Sequence, residues 1–268
     1  MVNTKTFEVY FKRLNIEPQQ PSLLMVSELQ KKHIAEFCFN NLAVLLKRPI
    51  SLDITDIIDK IVVQNKGGYC FEHNKLINDA LFSKGFNVRC LIAKVINNQE
   101  IDSPRTHRIC LLEWEGEQYL VDVGFGPNSP REPIKIEPGN VSVQNRLTYR
   151  IVVNAHQDYQ LELVTENGFF SLYTFNLHRY TEADCMIGNY YSSQHPNAVF
   201  VNNLVASRIL PEVTLSLRND QYHRIGSKHT EVLKINDHFQ LKAIIKDDFN
   251  IEISEDEANS LYQKTCVK

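Results

Sequence analysis

The sequence predicts an α+β fold, because helix-like and strand-like patterns occupy different sections of the chain. Up to about Gly85, apolar residues recur at the spacing of amphipathic helices. From there to about Tyr191, runs rich in β-forming residues are separated by short turns. The remainder mixes strand-like runs with helical segments. We therefore expect an N-terminal group of helices, a central antiparallel sheet or barrel and a mixed C-terminal part.

The helical section contains three amphipathic segments. Residues 23–46 and 52–63 place large apolar side chains at helical spacing, and residues 71–84 do so again. Gly67 and Gly68 lie between the second and third segments, where a glycine pair interrupts a helix. A new helix is therefore expected to begin directly after these glycines.

The central section predicts sequential strands joined by short turns. Glu115-Gly116 is the turn expected between strand-like residues 107–114 and 118–123. Such a series is typical of an antiparallel sheet or barrel. The other strand-like runs are residues 87–96, 148–153, 160–164 and 169–175.

The last section predicts a helix before Asn203, followed by short strands and closing helices. The strands are expected near residues 213–217, 224–225 and 231–235, and the closing helices near residues 237–245 and 255–264. No linker rich in proline, glycine and serine separates the sections. We therefore expect three parts that pack as one body, namely residues 1–85, 86–191 and 192–268.

Charge and hydropathy argue against two classes of partner. The formal net charge is −3, whereas nucleic-acid-binding proteins usually carry a face rich in lysine and arginine. No apolar run is long enough to span a membrane. The first residues mix polar and charged side chains and lack the apolar stretch of a signal peptide. We therefore expect a cytoplasmic protein with no nucleic-acid or membrane partner.

The cysteines raise the questions of disulfides and of metal binding. A long chain without a signal peptide is expected to keep its thiols reduced. No Cys-x-x-Cys or His-x-x-x-His spacing is present, so no bound metal is expected. The six cysteines are Cys38, Cys70, Cys90, Cys110, Cys185 and Cys266.

Cys70 is the leading candidate for a nucleophile. It follows Gly67, Gly68 and Tyr69 at the expected start of a helix. The positive end of a helix favours a thiolate over a thiol. The glycines allow a sharp backbone turn that leaves the sulfur open to a substrate. The alternative, from position alone, is a small residue buried in the core.

His107 and Asp122 are expected to share one face of the predicted hairpin. With the two-residue turn Glu115-Gly116, Ile109 lies opposite Asp122 and His107 is the diagonal neighbour of Asp122. A four-residue turn would place His107 directly opposite Asp122. The alternative interpretation is a solvent-facing polar pair on a half-exposed sheet.

Together, these three residues suit acyl transfer through a cysteine. Asp122 would hold the imidazole tautomer, His107 would take the thiol proton, and Cys70 would attack a carbonyl carbon. Asn74 lies one helical turn after Cys70 and would brace the site from the same helix face. The histidines without a neighbouring motif are interpreted as surface or packing residues.

Three motifs surround these candidates. Residues 66–74 read Lys-Gly-Gly-Tyr-Cys-Phe-Glu-His-Asn, Thr106 precedes His107, and residues 120–126 read Leu-Val-Asp-Val-Gly-Phe-Gly. The first resembles the Arg-Gly-Gly-x-Cys-x-Glu-x-Asn signature of the arylamine N-acetyltransferase family. The other two resemble that family's remaining catalytic segments.

The similarity to that family continues over nearly the whole chain. Tyr10 with Arg13 and residues 39–42 resemble N-terminal elements of the family, and residues 175–176 and 193–204 resemble later segments. The resemblance implies a helical bundle, a β-barrel and an α/β lid around a cysteine-protease-like catalytic core.

The resemblance also implies a reaction and its partners. Cys70, His107 and Asp122 would form a triad that transfers an acetyl group in two steps through a thioester. Acetyl-CoA would be the cosubstrate, with no metal. The acceptor would be an aromatic amine, an aryl hydrazine or an N-hydroxyarylamine.

The resemblance also implies which residues contact these small molecules. Thr106, Phe125 and Gly126 would contact the cofactor. Phe39, Tyr69 and again Phe125 would contact the acceptor.

The chain departs from the family pattern at several positions. The motif arginine is Lys66, the glutamate of a family Pro-Phe-Glu-Asn-Leu segment is Asn40, and a family serine near the cofactor is Ala198. In the family, that glutamate pairs with an arginine that corresponds to Arg13, so Arg13 is expected to find another acceptor. Lysine does not reproduce the bidentate fork of arginine. These departures alter the support of the site and leave the triad intact.

Three other functions remain open at this point. A Cys-His-Asp set also suits a transglutaminase-like amidase or a thiol protease, in which water ends the cycle. An amide synthase that closes a polyketide chain without CoA is kept open by Ala198. A degenerate family member that only binds ligands is kept open by Lys66 and Asn40.

Overall fold

The computed structural model describes residues 4–99 and 102–267. A helical N-terminal region is followed by a large antiparallel sheet, and then by a smaller sheet with two closing helices. The predicted α+β class and the order of its sections are confirmed. In the described residues, no helix is both long and apolar enough to cross a membrane.

The helices of the N-terminal region bury their apolar faces in one shared core. Ser22 caps the helix that begins at Leu23. Its Oγ accepts a hydrogen bond from Met25 N, a backbone N–H that has no acceptor within the helix. The helices are α1 (Glu8–Arg13), α2 (Leu23–Glu36), α3 (Leu42–Leu45), α4 (Ile54–Ile57), which continues as a π-helical segment (Ile58–Val63), and α5 (Cys70–Ser83).

The helical prediction over residues 23–46 is wrong in its middle. Phe37 has an extended backbone, with φ −102° and ψ 125°, and β1 (Phe39–Asn40) separates α2 from α3. This strand pairs with β10 (Val205–Ile209), in the register Phe39 opposite Ser207. Because the partner strand lies far along the chain, local spacing gave no signal for it.

The large sheet runs in the order β5-β4-β3-β2-β9-β8-β7-β6, with every pair antiparallel. The sheet nearly closes into a barrel. The side chain of Gln144, at the end of β6, forms hydrogen bonds with the backbone of Arg131 and Glu132, just before β5. Alternate residues fill the barrel interior. The strands are β2 (Asn87–Val95), β3 (His107–Trp114), β4 (Glu117–Val121), β5 (Ile134–Lys135), β6 (Val141–Gln144), β7 (Leu147–Val153), β8 (Tyr159–Thr165) and β9 (Gly168–Phe175).

The hairpin of β3 and β4 has the expected two-residue turn. Trp114 pairs with Glu117, and both Glu115 (φ 51°) and Gly116 (φ 80°) adopt positive φ, as a type I′ turn requires. The register places His107 and Asp122 as diagonal neighbours on one face, which is one of the two registers that the sequence predicts.

The C-terminal part surrounds a separate apolar core. Its sheet has the order β1-β10-β11-β12-β13. The closing helix α8 begins as predicted, with the side chain of Asp237 accepting from Gln240 N. The elements are α6 (Glu182–Gln194), α7 (Val199–Asn202), β10 as given above, β11 (Thr214–Arg218), β12 (Gln221–Ile225), β13 (Thr230–Lys234), α8 (His238–Asp247) and α9 (Glu255–Thr265).

Candidate active site

The turn before Cys70 is built so that only glycine fits it. Gly67 has φ 60°, and a Cβ at this position would lie 2.1 Å from the carbonyl oxygen of Cys38. Gly68 N donates to the same oxygen at 3.3 Å, and Gly68 forms an isolated bridge with Phe39. The turn is therefore clamped against the β1 segment, and Cys70 becomes the first residue of α5.

The start of α5 is further fixed by Glu72. Glu72 Oε2 accepts from Tyr69 N at 3.1 Å, and Glu72 Oε1 lies 2.6 Å from Lys60 Nζ. Burial raises the pKa of Glu72, although the Lys60 charge opposes this shift. Because both carboxylate oxygens are engaged in holding the helix start, Glu72 is not placed to act as a base for the neighbouring thiol.

His107 and Asp122 form a direct hydrogen bond in the protein interior. His107 Nε2 lies 2.7 Å from Asp122 Oδ2, and the two residues are 2% and 0% exposed. The carboxylate therefore holds the ring proton on Nε2 and leaves Nδ1 as the basic nitrogen of the neutral ring. Burial lowers the pKa of His107, but the charge and hydrogen bond of Asp122, assisted by Cys70, outweigh burial and raise it to about 10.

Both oxygens of Asp122 are fully engaged by donors. Oδ2 accepts from His107 and, at 3.0 Å, from the hydroxyl of Tyr173. Oδ1 accepts from Asn74 Nδ2 at 2.8 Å and from Gly124 N at 2.9 Å. Burial would raise the pKa of Asp122, but the His107 charge and these donors lower it. Asp122 is therefore held as a carboxylate.

Asn74 joins α5 to both strands of the hairpin, as the sequence suggests. Besides Asp122, its Nδ2 donates to the carbonyl oxygen of Arg108 at 2.6 Å, and its Oδ1 accepts from Val123 N at 2.9 Å. Gly124 permits this approach, because a Cβ there would lie 2.8 Å from Asn74 Nδ2 and 2.8 Å from Cys70 Cα. The helix carrying Cys70 is thus locked to the strands carrying the other two candidates.

The sulfur of Cys70 lies beside the imidazole. Cys70 Sγ lies 3.6 Å from the carbonyl oxygen of Thr106, the residue before His107, and the thiol is close enough to help raise the pKa of His107. Cys70 as a whole is only 2% exposed. Phe39 and Phe200, which pack against the same buried cluster as Cys70, are partly exposed, and so is Phe125.

The structure gathers the other sequence-predicted residues around these three. Phe125 meets His107 edge-on, with ring centroids 4.9 Å apart. Gly126 has φ 69°, and a Cβ there would lie 3.7 Å from the ring of Phe39. Thr106 is adjacent to Cys70 through its backbone, as described above. Thr106 therefore lies beside the sulfur, Phe125 beside the imidazole and Gly126 beside Phe39.

Tyr69, directly before Cys70, is buried. Its ring packs edge-on against Phe200 at 5.6 Å between centroids, and its hydroxyl donates to the side chain of Asn189 in α6. Burial raises the pKa of Tyr69, so the hydroxyl stays protonated. Sequence reasoning missed Tyr173 and Asn189, because both lie outside the motifs, and it did not single out Phe200 within the family-like residues 193–204.

A buried chain of hydrogen bonds lies behind the glycine turn. Tyr10 OH lies 2.7 Å from His33 Nδ1, His33 Nε2 lies 2.7 Å from His73 Nδ1, and His73 Nε2 lies 3.2 Å from Cys38 O. Since a carbonyl can only accept, His73 carries its proton on Nε2 and every donor in the chain points the same way. Burial lowers the pKa of His73 to about 4, so the chain is neutral.

At two positions affected by the departures from the family pattern, the side chains find other hydrogen-bond partners nearby. Arg13 Nε pairs with Glu36 Oε1 at 2.7 Å, which supplies the other acceptor that the sequence requires. Asn40 Nδ2 donates to the carbonyl oxygens of Lys66 at 3.1 Å and Cys38 at 3.3 Å, and so ties β1 to the turn without an ion pair. Within the described part of the chain, no three His, Cys, Asp or Glu side chains converge as a metal site would require.

Comparison with known proteins identifies the family. The family model described as N-acetyltransferase matches residues 22–258. The arylamine N-acetyltransferase / N-hydroxyarylamine O-acetyltransferase of Salmonella typhimurium is 32% identical over 94% of this chain and 91% of its own length. The arylamine N-acetyltransferase of Escherichia coli is 31% identical over 92% of this chain and 89% of its own length.

Solved structures agree with the sequence comparison. Arylamine N-acetyltransferase from Salmonella typhimurium superposes with a TM-score of 0.92 at 30% identity, over 97% of this chain and 99% of that one. The Mycobacterium marinum arylamine N-acetyltransferase in complex with CoA superposes with a TM-score of 0.90 at 27% identity, over 96% of this chain and 98% of that one. On the match of sequence, fold and motifs, this chain belongs to the arylamine N-acetyltransferase family.

Proposed function

We propose that this chain transfers the acetyl group of acetyl-CoA to an arylamine, an arylhydrazine or an N-hydroxyarylamine, through an acetyl thioester on Cys70. The observation that carries the proposal is the 2.7 Å hydrogen bond between His107 and Asp122, with the thiol of Cys70 close enough to the same imidazole to help raise its pKa. The substrate class is supported by the names of the relatives, and the donor by the CoA complex of the M. marinum relative.

The first half-reaction acetylates the cysteine. The raised pKa of His107 favours the imidazolium, so the proton of Cys70 moves to Nδ1 and leaves a thiolate. The thiolate attacks the carbonyl carbon of the donor thioester. The bond from that carbon to the CoA sulfur breaks, and the leaving sulfur takes the proton from His107 Nδ1.

The second half-reaction regenerates the cysteine. The nitrogen of the acceptor attacks the carbonyl carbon of the acetyl-Cys70 thioester, and His107 Nδ1 takes a proton from that nitrogen. The carbon–sulfur bond breaks and Cys70 leaves as a thiolate beside the imidazolium. Throughout the cycle Asp122 holds the Nε2 proton, so that Nδ1 is the only exchanging nitrogen.

The aromatic rings around the sulfur suit a flat acceptor. Phe125 is proposed to contact both the acceptor and the cofactor, because its ring already stands edge-on to His107. Phe39 and Tyr69 are proposed to contact the acceptor, and Thr106 and Gly126 the cofactor. The Tyr69 ring is held by the bond from its hydroxyl to Asn189, so it offers a rigid wall.

Initial-rate kinetics test this proposal. With acetyl-CoA and an arylamine varied together, we expect the parallel double-reciprocal lines of a ping-pong mechanism. Cys70→Ala is expected to abolish turnover, and Cys266→Ala, at a half-exposed cysteine of the C-terminal end, to leave it unchanged.

Two outcomes would contradict the proposal. Release of acetate at the same rate with and without amine would indicate a hydrolase. Amide formation that does not require acetyl-CoA would indicate a CoA-independent amide synthase.

A further inference from the structure

A second pair of cysteines meets at the N-terminus of α6. Cys90, in β2, has its Sγ 3.7 Å from the carbonyl oxygen of Tyr180, just before the helix. Cys185 lies in the first turns of the helix, and its N donates to Thr181 O. Both side chains belong to one buried cluster. Two independent backbone positions therefore bring the sulfurs to the same helix end.

The two sulfurs interact with each other and with a buried cation. Contact between the Cys185 and Cys90 thiols within this cluster, opposed by burial and assisted by the Arg108 charge, lowers the pKa of Cys90. Lys75 assists this shift and Glu182 opposes it. The same contact, together with burial, raises the pKa of Cys185. Cys90 is also the more exposed of the two residues, at 8% against 0%, so it is the sulfur that a peroxide reaches first, and Cys185 is its partner.

Arg108 has an unused donor in this cluster. Its Nη1 and Nη2 donate to the two carboxylate oxygens of Glu182 at 3.0 and 2.8 Å, and the side chain is 0% exposed. Among the residues that the structure describes, its Nε has no hydrogen-bond acceptor. A buried guanidinium with one free N–H, beside a helix N-terminus, favours negative charge on a neighbouring sulfur or on an oxygen attached to it.

We propose that Cys90 and Cys185 form an oxidation site at which a hydroperoxide produces an intramolecular disulfide, distinct from the acetyl-transfer cysteine. The Cys90 thiolate attacks one peroxide oxygen, the O–O bond breaks, and the departing oxygen leaves as water or an alcohol after it gains a proton. Cys185 then attacks the sulfur of the resulting sulfenic acid. The S–O bond breaks, and the oxygen leaves as water with the Cys185 proton. Two thiols are oxidised and one peroxide is reduced.

Cys110 provides a matched control within the same sheet. It lies directly opposite Cys90 in the register of β2 and β3, and its Sγ donates to the carbonyl oxygen of Asn74 at 3.2 Å. Burial raises the pKa of Cys110, although the Arg108 charge opposes the shift. Cys110 therefore shares the strand pair and the burial of Cys90, but its thiol is engaged by the carbonyl oxygen of Asn74, and it is expected to stay reduced.

The disulfide would link two elements that frame the active site. Cys90 belongs to the barrel, whereas α6 carries Asn189, which holds the hydroxyl of Tyr69. Gly188 of the same helix approaches the ring of Phe71 so closely that a Cβ would lie 2.6 Å from it. A covalent link between β2 and α6 would therefore fix the helix against the residues on either side of Cys70.

Peptide mapping of the peroxide-treated protein tests the site. The reduced full-length protein is treated with hydrogen peroxide, its remaining thiols are alkylated, and it is digested without reductant. We expect a Cys90–Cys185 linked peptide that accounts for most of the chain at a few equivalents of peroxide, and that dithiothreitol reverses. Cys110 should be recovered as the alkylated thiol.

Two variants sharpen the result. In Cys185→Ala, Cys90 should be trapped as a sulfenic acid by dimedone, whereas Cys110→Ala should form the same linked peptide as the wild type. The proposal is overturned if Cys90 and Cys185 remain alkylatable after Cys70 is fully oxidised, or if Cys90 links to another cysteine. The wild-type mapping alone decides the matter if either variant fails to fold.

Discussion

Asn74 donates its side-chain amide to Asp122 at 2.8 Å, and this single contact joins the helix that begins at Cys70 to the carboxylate that orients His107. Asn74 lies one helical turn from Cys70, so the same rigid element fixes both the sulfur and the carboxylate. The relative position of nucleophile and base therefore depends on one amide that makes three hydrogen bonds.

Removing this amide should weaken both stability and acetyl transfer. In Asn74→Ala, Asp122 Oδ1, Val123 N and Arg108 O each lose a buried partner, so we expect the free energy of unfolding to fall by about 3 kcal/mol. We expect the rate of Cys70 acetylation to fall by about a hundredfold, because the base is no longer held beside the thiol. Urea unfolding and single-turnover kinetics measure the two effects.

Asn78→Ala is the control for this helix. Asn78 lies one further turn along α5 and donates only to the neighbouring Asp79 among the residues described. Its loss is expected to change the acetylation rate by less than about twofold. Equal effects of the two substitutions would contradict the role given to Asn74.

The hydrogen bond from the Tyr173 hydroxyl to the Asp122 carboxylate should increase the rate of Cys70 acetylation. Burial raises the pKa of Tyr173, so its hydroxyl remains a donor to Asp122 at 3.0 Å. Tyr173→Phe is expected to slow Cys70 acetylation about tenfold, since a hydrogen bond to a charged group is lost. Tyr149→Phe is the control, because the buried Tyr149 hydroxyl donates to the carbonyl of Asn128. A rate equally reduced in both variants would show a packing effect only.

The stability that Asp122 provides through His107 should depend on pH. The pKa of His107 is raised from its ordinary 6.5 to about 10, so this stabilisation is fully present below about 6.5 and is lost as the pH rises towards 10. The difference in unfolding free energy between wild type and Asp122→Asn is therefore expected to shrink from pH 6.5 to pH 10. A difference that is constant or grows over this range would contradict the ion pair.

The buried histidine chain should make the protein sensitive to acid. Burial lowers the pKa of His73 from 6.5 to about 4, so the unfolded chain binds more protons and stability falls as the pH drops through this range. Burial, followed by the charge of His73, lowers the pKa of His33 as well. Between pH 6.5 and about pH 4, His33→Gln is expected to lose less stability than wild type does. The substitution His156→Gln, at an exposed histidine, should leave the pH dependence of stability unchanged. Parallel stability curves for all three proteins would refute this interpretation.

The sequence predicts those features of the site that local geometry determines. A glycine pair before a helical pattern located the start of α5 at Cys70, and a two-residue turn signal fixed the face shared by His107 and Asp122. Both predictions depend on residues that are close along the chain. The division at residues 85 and 191, and the roles of the cleft residues, stay predictions.

Features that depend on long-range packing gave no local signal. Helix α6 was missed because its buried positions are Cys185, Gly188 and Ser192, which are too small or polar to form an apolar stripe. Tyr173 reaches Asp122 only because β9 pairs with β2, a strand far from it in the sequence. The histidine chain likewise joins α1, α2 and α5 in space.

The mass of the peptide that carries Cys70, after the protein is mixed with acetyl-CoA alone, tests the central claim most directly. The account predicts one acetyl group on Cys70, bound before any amine is present and removed when an arylamine is added. Acetylation of the arylamine without this intermediate, or with the acetyl group on a different residue, would contradict it.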